Sequence, residues 1–414
     1  MNGSDDLKLR LLSGLGFLAL LGIAFLLSKD RKAIDRRAVL IGIVVQFALA
    51  LFFLKGPVGE HFSNWVAVPV GALQSATAEG ARFLFGDLLQ VNNPGFGLTA
   101  LPVIIFMGSL FGVLYHLGVI QPLVRFLSRV FARVLNISGA EALTAVANIF
   151  VGITDVAVVI RPYFAALTRS ELFAFMTLGM STIAGSVLVV YSSFLGPAYA
   201  GHLVIASLIS APAALVVAKI ILPETEMPET RGLAPQMEVP KASNVIDAAT
   251  QGGLVGLQLA LNMGALLIAF VALIAMVNLI LGGVGGWFGA PEITLQSILG
   301  VLLSPLAFIM GVPWSEAQTV GSLIGIKTIA NEFVAYEQLR DAIAQGLISE
   351  RSALISTYAL CGFANFGSLA ILLGGIEAIA PKRRPEAARL GLLSIAAGTL
   401  TTCMTGCLAG MIVS

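Results

Sequence analysis

The sequence predicts an all-α integral membrane protein: eight transmembrane helices plus two re-entrant hairpins in inverted-topology repeats, with interfacial helices between them. Three observations carry this reading. Of the 414 residues 57% are apolar and only 11% charged, and the mean hydropathy is +0.93; soluble proteins carry roughly 25% charged residues. Apolar runs of about 20 residues recur, the length of a spanning helix rather than the short alternating segments of a barrel. Finally, Ala147-Asn148-Ile149-Phe150-Val151 and Ala330-Asn331-Glu332-Phe333-Val334 lie 183 positions apart, and each opens a polar break within apolar sequence.

In chain order, a first span is expected at 11–28, followed by Lys29, Arg31, Lys32, Arg36 and Arg37, then a second span at 38–54. The basic cluster, with no small-residue cleavage site, favours a retained helix over a signal segment. It also marks the cytoplasmic side and leaves the N-terminus outside. Residues 57–97 mix Pro57, Pro69, Glu79 and Asp87 with apolar residues, as an interfacial amphipathic helix does. A third span at 99–119 returns the chain inside, where Arg125, Arg129 and Arg133 form one stripe on a surface helix. Residues 139–165, with Glu141, Asn148, Thr154, Asp155, Arg161 and Pro162, are too polar for a simple span. Basic flanks on both sides make them a hairpin entered from the cytoplasm, since irregular backbone at membrane depth must be covered by protein or a cavity.

Spans at 171–195 and 202–222 follow, then a polar loop at 223–245, an interfacial stretch at 244–256 and a sixth span at 257–281. Gly282-Gly283 and Gly285-Gly286 read as a flexible break. Residues 295–336, with Pro305, Pro313, Glu316, Lys327 and Glu332, form the second interrupted segment, entered from outside. Spans at 352–376 and 388–412 flank the basic Lys382, Arg383 and Arg384 and place both termini outside. Hairpin, span and span therefore occur twice in opposite orientation. Ala184-Gly185-Ser186-Val187 against Phe366-Gly367-Ser368-Leu369, 182 positions apart, is a second echo of the repeat. Inverted repeats with polar breaks point to a transporter whose site lies between them. The expected divisions are 1–135 (N-terminal scaffold and interfacial helices), 136–222 (first transport repeat), 223–294 (cytoplasmic loop, interfacial helix and scaffold span) and 295–414 (second transport repeat).

Glu332 is the leading candidate for chemistry, because a carboxylate at membrane depth is costly and by default functional. It is read as an acceptor for hydroxyl groups of a polar solute, with Lys327 as its neutralising partner. Asp155 has the same reading with Arg161 as a possible structural partner. Asn148 and Thr154 suit both helix capping and ligation, because a broken helix frees carbonyls that coordinate cations. Asn365 and Ser368, three apart, share a helix face. His116 and His202 read as structural and remote from the breaks, and Cys361, Cys403 and Cys407 as packing thiols with no disulfide or zinc spacing.

At these residues the chain resembles the concentrative nucleoside transporter family. The likeness lies in Asn148-Ile149-Phe150-Val151-Gly152, Ala330-Asn331-Glu332-Phe333-Val334-Ala335-Tyr336 and Cys361-Gly362-Phe363-Ala364-Asn365. Gly285-Gly286-Trp287-Phe288-Gly289, Gly311-Val312-Pro313-Trp314 and Pro381-Lys382-Arg383-Arg384 extend it over nearly the whole chain. The resemblance implies a homotrimer in the bacterial inner membrane, in contact with lipid, and an elevator-like motion driven by sodium. It implies that Glu332, Asn365 and Ser368 hold ribose hydroxyls while Phe363, Val187 and Leu259 pack around the nucleoside. Sodium would be bound by the Asn148 side chain, Thr182 and the carbonyls of Val151 and Ile183; hard cations favour such oxygen ligands. The family's base-reading Gly-Gln-Thr-Glu is here Gly152-Ile153-Thr154-Asp155. Ile153 cannot hydrogen-bond a base edge and Asp155 is one methylene shorter, so an altered base preference is expected.

A rival transporter reading is proton-coupled uptake of a modified nucleoside or another polyol-bearing solute, with Glu332 or Asp155 carrying the proton. A channel fits inverted discontinuous repeats less well. An intramembrane enzyme is disfavoured, as no Gly-x-Ser-x-Gly stretch or paired membrane aspartates occur. No cofactor besides the coupling ion and no nucleic-acid partner is expected.

Overall fold

The computed structural model describes residues 3–55, 57–89, 95–232 and 242–413; it is 82% helix, with no strand among the described residues. The chain runs through α1 (Gly3–Leu26), α2 (Arg36–Leu54), α3 (Pro57–Phe85), α4 (Phe96–Thr99), α5 (Leu101–His116) and α6 (Ile120–Leu135). A first group follows: α7 (Gly139–Phe150), α8 (Ile153–Val159), α9 (Arg161–Phe164), α10 (Arg169–Ser181), α11 (Gly185–Leu195) and α12 (Ala198–Ile221). After α13 (Val245–Trp287) and α14 (Leu295–Ile309) comes a second: α15 (Trp314–Ile329), α16 (Glu332–Ala344), α17 (Glu350–Leu360), α18 (Phe366–Ile379) and α19 (Arg384–Ile412).

Seven described helices are long and apolar enough to cross a membrane, or eight if α14 and α15, bent by 115°, count as one span. The seven match seven of the expected spans. The remaining one, 352–376, is divided at residues 361–365 into α17 and α18. The span expected at 171–195 is likewise divided, at residues 182–184, into α10 and α11. Three further expectations are corrected. Residues 244–256 and the glycines at 282–286 all lie within, or just before, one 43-residue helix, α13. The second hairpin turns at residues 330–331 between α15 and α16, and α14 precedes it as a separate helix packed on α15.

The same order therefore recurs: two short helices meeting at a break, a split helix, and a long unbroken helix. Capping chemistry starts these elements. Ser138 with Glu141 and Thr168 with Glu171 form capping boxes at α7 and α10, and Ser349 caps α17. Each side-chain oxygen satisfies an N–H that has no partner within its own helix.

The two groups run in opposite directions. At one end Lys29 N–H donates to Ile221 C=O (2.8 Å), Gly139 N–H to Thr230 C=O (3.0 Å) and Arg383 Nη1 to Ala165 C=O (3.1 Å). The basic segments, the start of α7 and the start of α10 are thereby gathered there. At the other end Arg351, first-turn residue of α17, donates Nε to Gly311 C=O (3.1 Å) and Nη1 to Val413 C=O (3.1 Å), and pairs with Asp6 (3.4 Å). Thus α7 and α10 begin at the basic end, whereas α15 and α17 begin at the opposite one.

Burial separates centre from periphery. The apolar windows of 169–195, 198–221 and 381–412 are 89%, 83% and 78% buried, against 6% for α13 and 22% for 97–116. The repeats are thus packed by protein, while α5 and α13 present apolar flanks outward. Those two helices meet backbone to backbone. A Cβ on Gly108 would stand 2.5 Å from Gly252 C=O, one on Gly112 2.5 Å from Ala248 C=O, and one on Gly256 2.7 Å from Ile104 C=O. Gly108 and Gly112, like Gly252 and Gly256, are four apart, the small-residue spacing that lets membrane helices approach closely.

Candidate functional site

Four interruptions of helix converge. Asn148, near the end of α7, donates Nδ2 to Leu178 C=O (3.0 Å) and to Thr182 Oγ1, tying the first hairpin to the α10–α11 break. A Cβ on Gly185 would sit 3.0 Å from Phe150 C=O, so the tip lies directly on the start of α11. On the other side of the same break, a Cβ on Gly362 would sit 2.8 Å from Met180 C=O, placing the α17–α18 break against the α10–α11 break. Tyr191 of α11 then reaches the α15–α16 break by donating its hydroxyl to Glu332 Oε1 (2.8 Å).

Glu332 opens α16 and is 2% exposed. Its second oxygen, Oε2, accepts from Asn365 Nδ2 (2.6 Å). Asn365 caps α18, its Oδ1 accepting the Ser368 N–H (2.7 Å). Both ends of this amide are thereby committed, which fixes its orientation. Asn331 caps α16 in the same manner, accepting from Val334 N–H (3.0 Å). A buried carboxylate is tolerated when charge-assisted hydrogen bonds satisfy it. Each carboxylate oxygen has two acceptor positions, so with one donor on each, Glu332 keeps capacity for a pair of ligand hydroxyls.

Several expected residues join this cluster and others do not. Val187 is buried in the first turn of α11, and Phe363 and Ser368 are half-buried at the α17–α18 break. Val151 caps the C-terminus of α7, and Ile183, 1% exposed, sits in the α10–α11 break. Leu259 lies on α13, across a cavity of about 240 Å³ that it lines with Tyr115, His116, Val151, Ser186 and Gln251. Glu332 and Asn365 are not in that lining. The side chains of Ile153, Thr154 and Asp155 fall outside the described residues, as does the suggested pairing of Asp155 with Arg161.

Asn148, Thr182 and the backbone around 151 and 183 supply neutral oxygens at two helix ends, the donor type a hard monovalent cation takes. No group of three or more His, Cys, Asp or Glu able to hold a metal occurs among the described residues.

Two sequence expectations change. Lys327 makes no direct ion pair with Glu332: its Nζ donates to Ala359 C=O and Thr402 Oγ1, both at 2.8 Å, so its charge acts on the carboxylate only across space. Chain reversal at Ala330 separates the last turn of α15, which carries Lys327, from the new helix that starts at Glu332. Both histidines lie closer to the breaks than expected, His116 in the cavity wall and His202 Nδ1 3.1 Å from Tyr358 Oη on α17.

The sequence reading missed Tyr191. It stacks on Tyr336 (centroids 4.5 Å apart) and meets Phe333 edge-on (4.8 Å), while Tyr336 donates to Thr357 C=O (2.8 Å). A tyrosine in an apolar span gives no periodic signal; only the carboxylate across the fold reveals its role. Tyr191→Phe keeps both ring contacts and removes one hydrogen bond to a charged group, worth about 1.5–3 kcal/mol. Uptake kinetics are expected to fall by about tenfold or more, with a melting temperature lowered by a few degrees; unchanged kinetics with a lowered melting temperature would assign Tyr191 to packing alone.

Known proteins match the chain over most of its length. Residues 15–88 and 202–410 match the N-terminal and C-terminal parts described as "Na+ dependent nucleoside transporter", and 97–198 match one described as "Nucleoside recognition". The chain is 47% identical to the uncharacterized transporter YutK of Bacillus subtilis, over 96% of this chain and 98% of that one. It is 38% identical to the nucleoside permease NupC of Helicobacter pylori, over 97% and 98%. Against human solute carrier family 28 member 3 the identity is 39% over 96% of this chain and 59% of the carrier. The structure of CNTnw in an inward-facing, substrate-bound state superposes with a TM-score of 0.91 at 44% identity, covering 98% of both chains. Variants of CNTnw in outward-facing and intermediate states superpose with TM-scores of 0.91–0.92.

Proposed function

The chain belongs to the sodium-dependent, concentrative nucleoside transporter family, and on that premise we propose that it imports nucleosides across a bacterial inner membrane by sodium symport. It is a multi-pass membrane transporter and not an enzyme. The observation that carries the substrate reading is the Glu332 carboxylate, held between Tyr191 and Asn365 where the repeats meet. With Asn365 and Ser368 it offers the fixed acceptors and donors that a ribose diol needs. Base recognition is assigned to Thr154, Asp155 and Ile153 in this reading, with Val187, Leu259 and Phe363 packing the nucleoside. Because Ile153 offers no hydrogen bond, base preference differs from that of relatives with a polar residue there.

Sodium is bound by Asn148, Thr182 and the carbonyls of Val151 and Ile183. The ion couples to the substrate because its ligands sit at the hairpin tip and the α10–α11 break, next to the substrate-holding ends. Segments 136–222 and 295–414 travel as transport repeats against a scaffold of 1–135 and 223–294, in an elevator-type alternating-access cycle. CNTnw, solved in inward-facing, intermediate and outward-facing states, supports such a cycle. Three copies assemble as a homotrimer embedded in lipid.

Calorimetric titration with uridine and adenosine, with sodium and with choline in its place, tests the coupling. Thr182→Val keeps side-chain shape and removes one oxygen ligand. Sodium is expected to tighten nucleoside binding in the unsubstituted protein, and Thr182→Val to lower that enhancement at least tenfold, a difference of about 1.4 kcal/mol. Binding indifferent to sodium but strengthened at acid pH would overturn sodium coupling.

A further inference from the structure

We propose that the four arginines around α6 form a binding site for an anionic phospholipid of the cytoplasmic leaflet. Arg125, Arg129 and Arg133 project from α6, and Arg231 joins them from the segment after α12, around an open cavity of about 890 Å³. All four are exposed, none makes an ion pair among the described residues, and no Asp or Glu is among the described residues of the lining. The acid nearest in sequence to α6, Glu141, is already engaged by Lys219 at 2.6 Å, and neither Glu226 nor Glu229, close to Arg231 in sequence, forms an ion pair with it among the described residues. The arginines thus present unneutralised positive charge to whatever fills the cavity.

The apolar part of the same surface selects a lipid over a soluble phosphate. One face of α6, with Val124, Ser128 and Leu135 buried, packs on α7. Phe126, Val130 and Val134 stand 62%, 41% and 44% exposed beside the arginines and line the same cavity. A helix that offers bare apolar residues next to basic ones lies in the membrane interface, the apolar side against acyl chains and the basic side against headgroups. The location agrees: the cavity lies at the end where the basic segments and the start of α7 gather, the side that the Lys and Arg excess assigns to the cytoplasm. That leaflet carries the anionic lipid, and basic pockets on this side bind its headgroups. Gly139 and Leu143 of α7 complete the wall, so the lipid also touches the first hairpin.

Native mass spectrometry of the detergent-solubilised full chain, titrated with equal amounts of dioleoylphosphatidylglycerol and dioleoylphosphatidylcholine, tests the site. Phosphatidylglycerol is expected to be retained at least tenfold over phosphatidylcholine, and each arginine replaced by glutamine to weaken it about fivefold. The Arg125→Gln/Arg129→Gln/Arg133→Gln/Arg231→Gln variant should show parity between the lipids, and the corresponding four Arg→Lys changes should keep the preference. Arg129→Gln/Arg231→Gln, two exposed positions, gives the same readout should the fourfold variant fail to fold. Equal retention by the unsubstituted protein, or a preference that survives the glutamine changes, overturns the proposal. Displacement of phosphatidylglycerol by inorganic phosphate alone overturns it in favour of a free-anion site.

Discussion

Glu332→Gln is expected to lower kcat/KM for nucleoside uptake about 100-fold while leaving the protein folded. Glutamine preserves the shape and one oxygen, so the Tyr191 hydroxyl keeps an acceptor. The second oxygen, which takes Asn365 Nδ2 at 2.6 Å, becomes an NH2 facing another NH2. The ligand side loses more, since a neutral amide cannot accept from a diol with both arms. Hydrogen bonds to a charged group contribute about 1.5–3 kcal/mol each, and two of them weakened to neutral strength reach two decades at about 1.4 kcal/mol per decade. Glu332→Ala goes further, leaving Tyr191 Oη and Asn365 Nδ2 buried without their partner, at about 1–3 kcal/mol each. That variant should lose both uptake and melting temperature. Uptake kinetics and a thermal melt on both variants separate the two effects, and near-normal uptake by Glu332→Gln would remove the carboxylate from substrate binding.

Gly252→Leu is expected to prevent α5 and α13 from packing and to abolish recovery of folded protein. Inserting methylenes into a well-packed contact costs about 1–3 kcal/mol. Here the obstacle is the Gly108 backbone rather than a side chain that can rotate away, so the cost lies at or above the top of that range. Gly283→Leu is the control. It lies on the same helix with nothing within 4 Å of its would-be Cβ, so that variant should purify and melt like the unsubstituted protein. Size-exclusion chromatography and thermal melting give the comparison, and a normally folded Gly252→Leu protein would show that this contact does not hold the pair together.

The parts of the fold legible in sequence were those carried by strong local signals. Hydropathy located seven spans, and the basic flanks led to the opposite directions in which the two groups of helices run. Asn148, Asn331, Glu332 and Asn365 stood out because polar residues in apolar surroundings require compensation. Breaks without polar or proline punctuation were illegible. By hydropathy residues 182–184 read as ordinary span, and only the family resemblance singled out Thr182 and Ile183; in the structure α10 ends at Ser181, with Asn148 Nδ2 donating to the Leu178 C=O of its last turn. The opposite error arose at Gly282, Gly283, Gly285 and Gly286, where glycine suggested interruption. Within α13 the backbone is satisfied by its own helix, while Gly252 and Gly256 serve close approach to α5. The partners of Lys327 and the role of Tyr191 depend on residues 32 to 141 positions away, a separation no local pattern encodes.

The most direct test of sodium-driven nucleoside transport is uptake of labelled uridine and adenosine into proteoliposomes, with and without an inward sodium gradient. Saturable uptake of at least one nucleoside, stimulated by the gradient and lost in Glu332→Gln, is the expected result, with the uridine-to-adenosine ratio reporting the effect of Ile153 and Asp155. Well-folded protein that takes up neither nucleoside, or takes them up regardless of sodium, would contradict it.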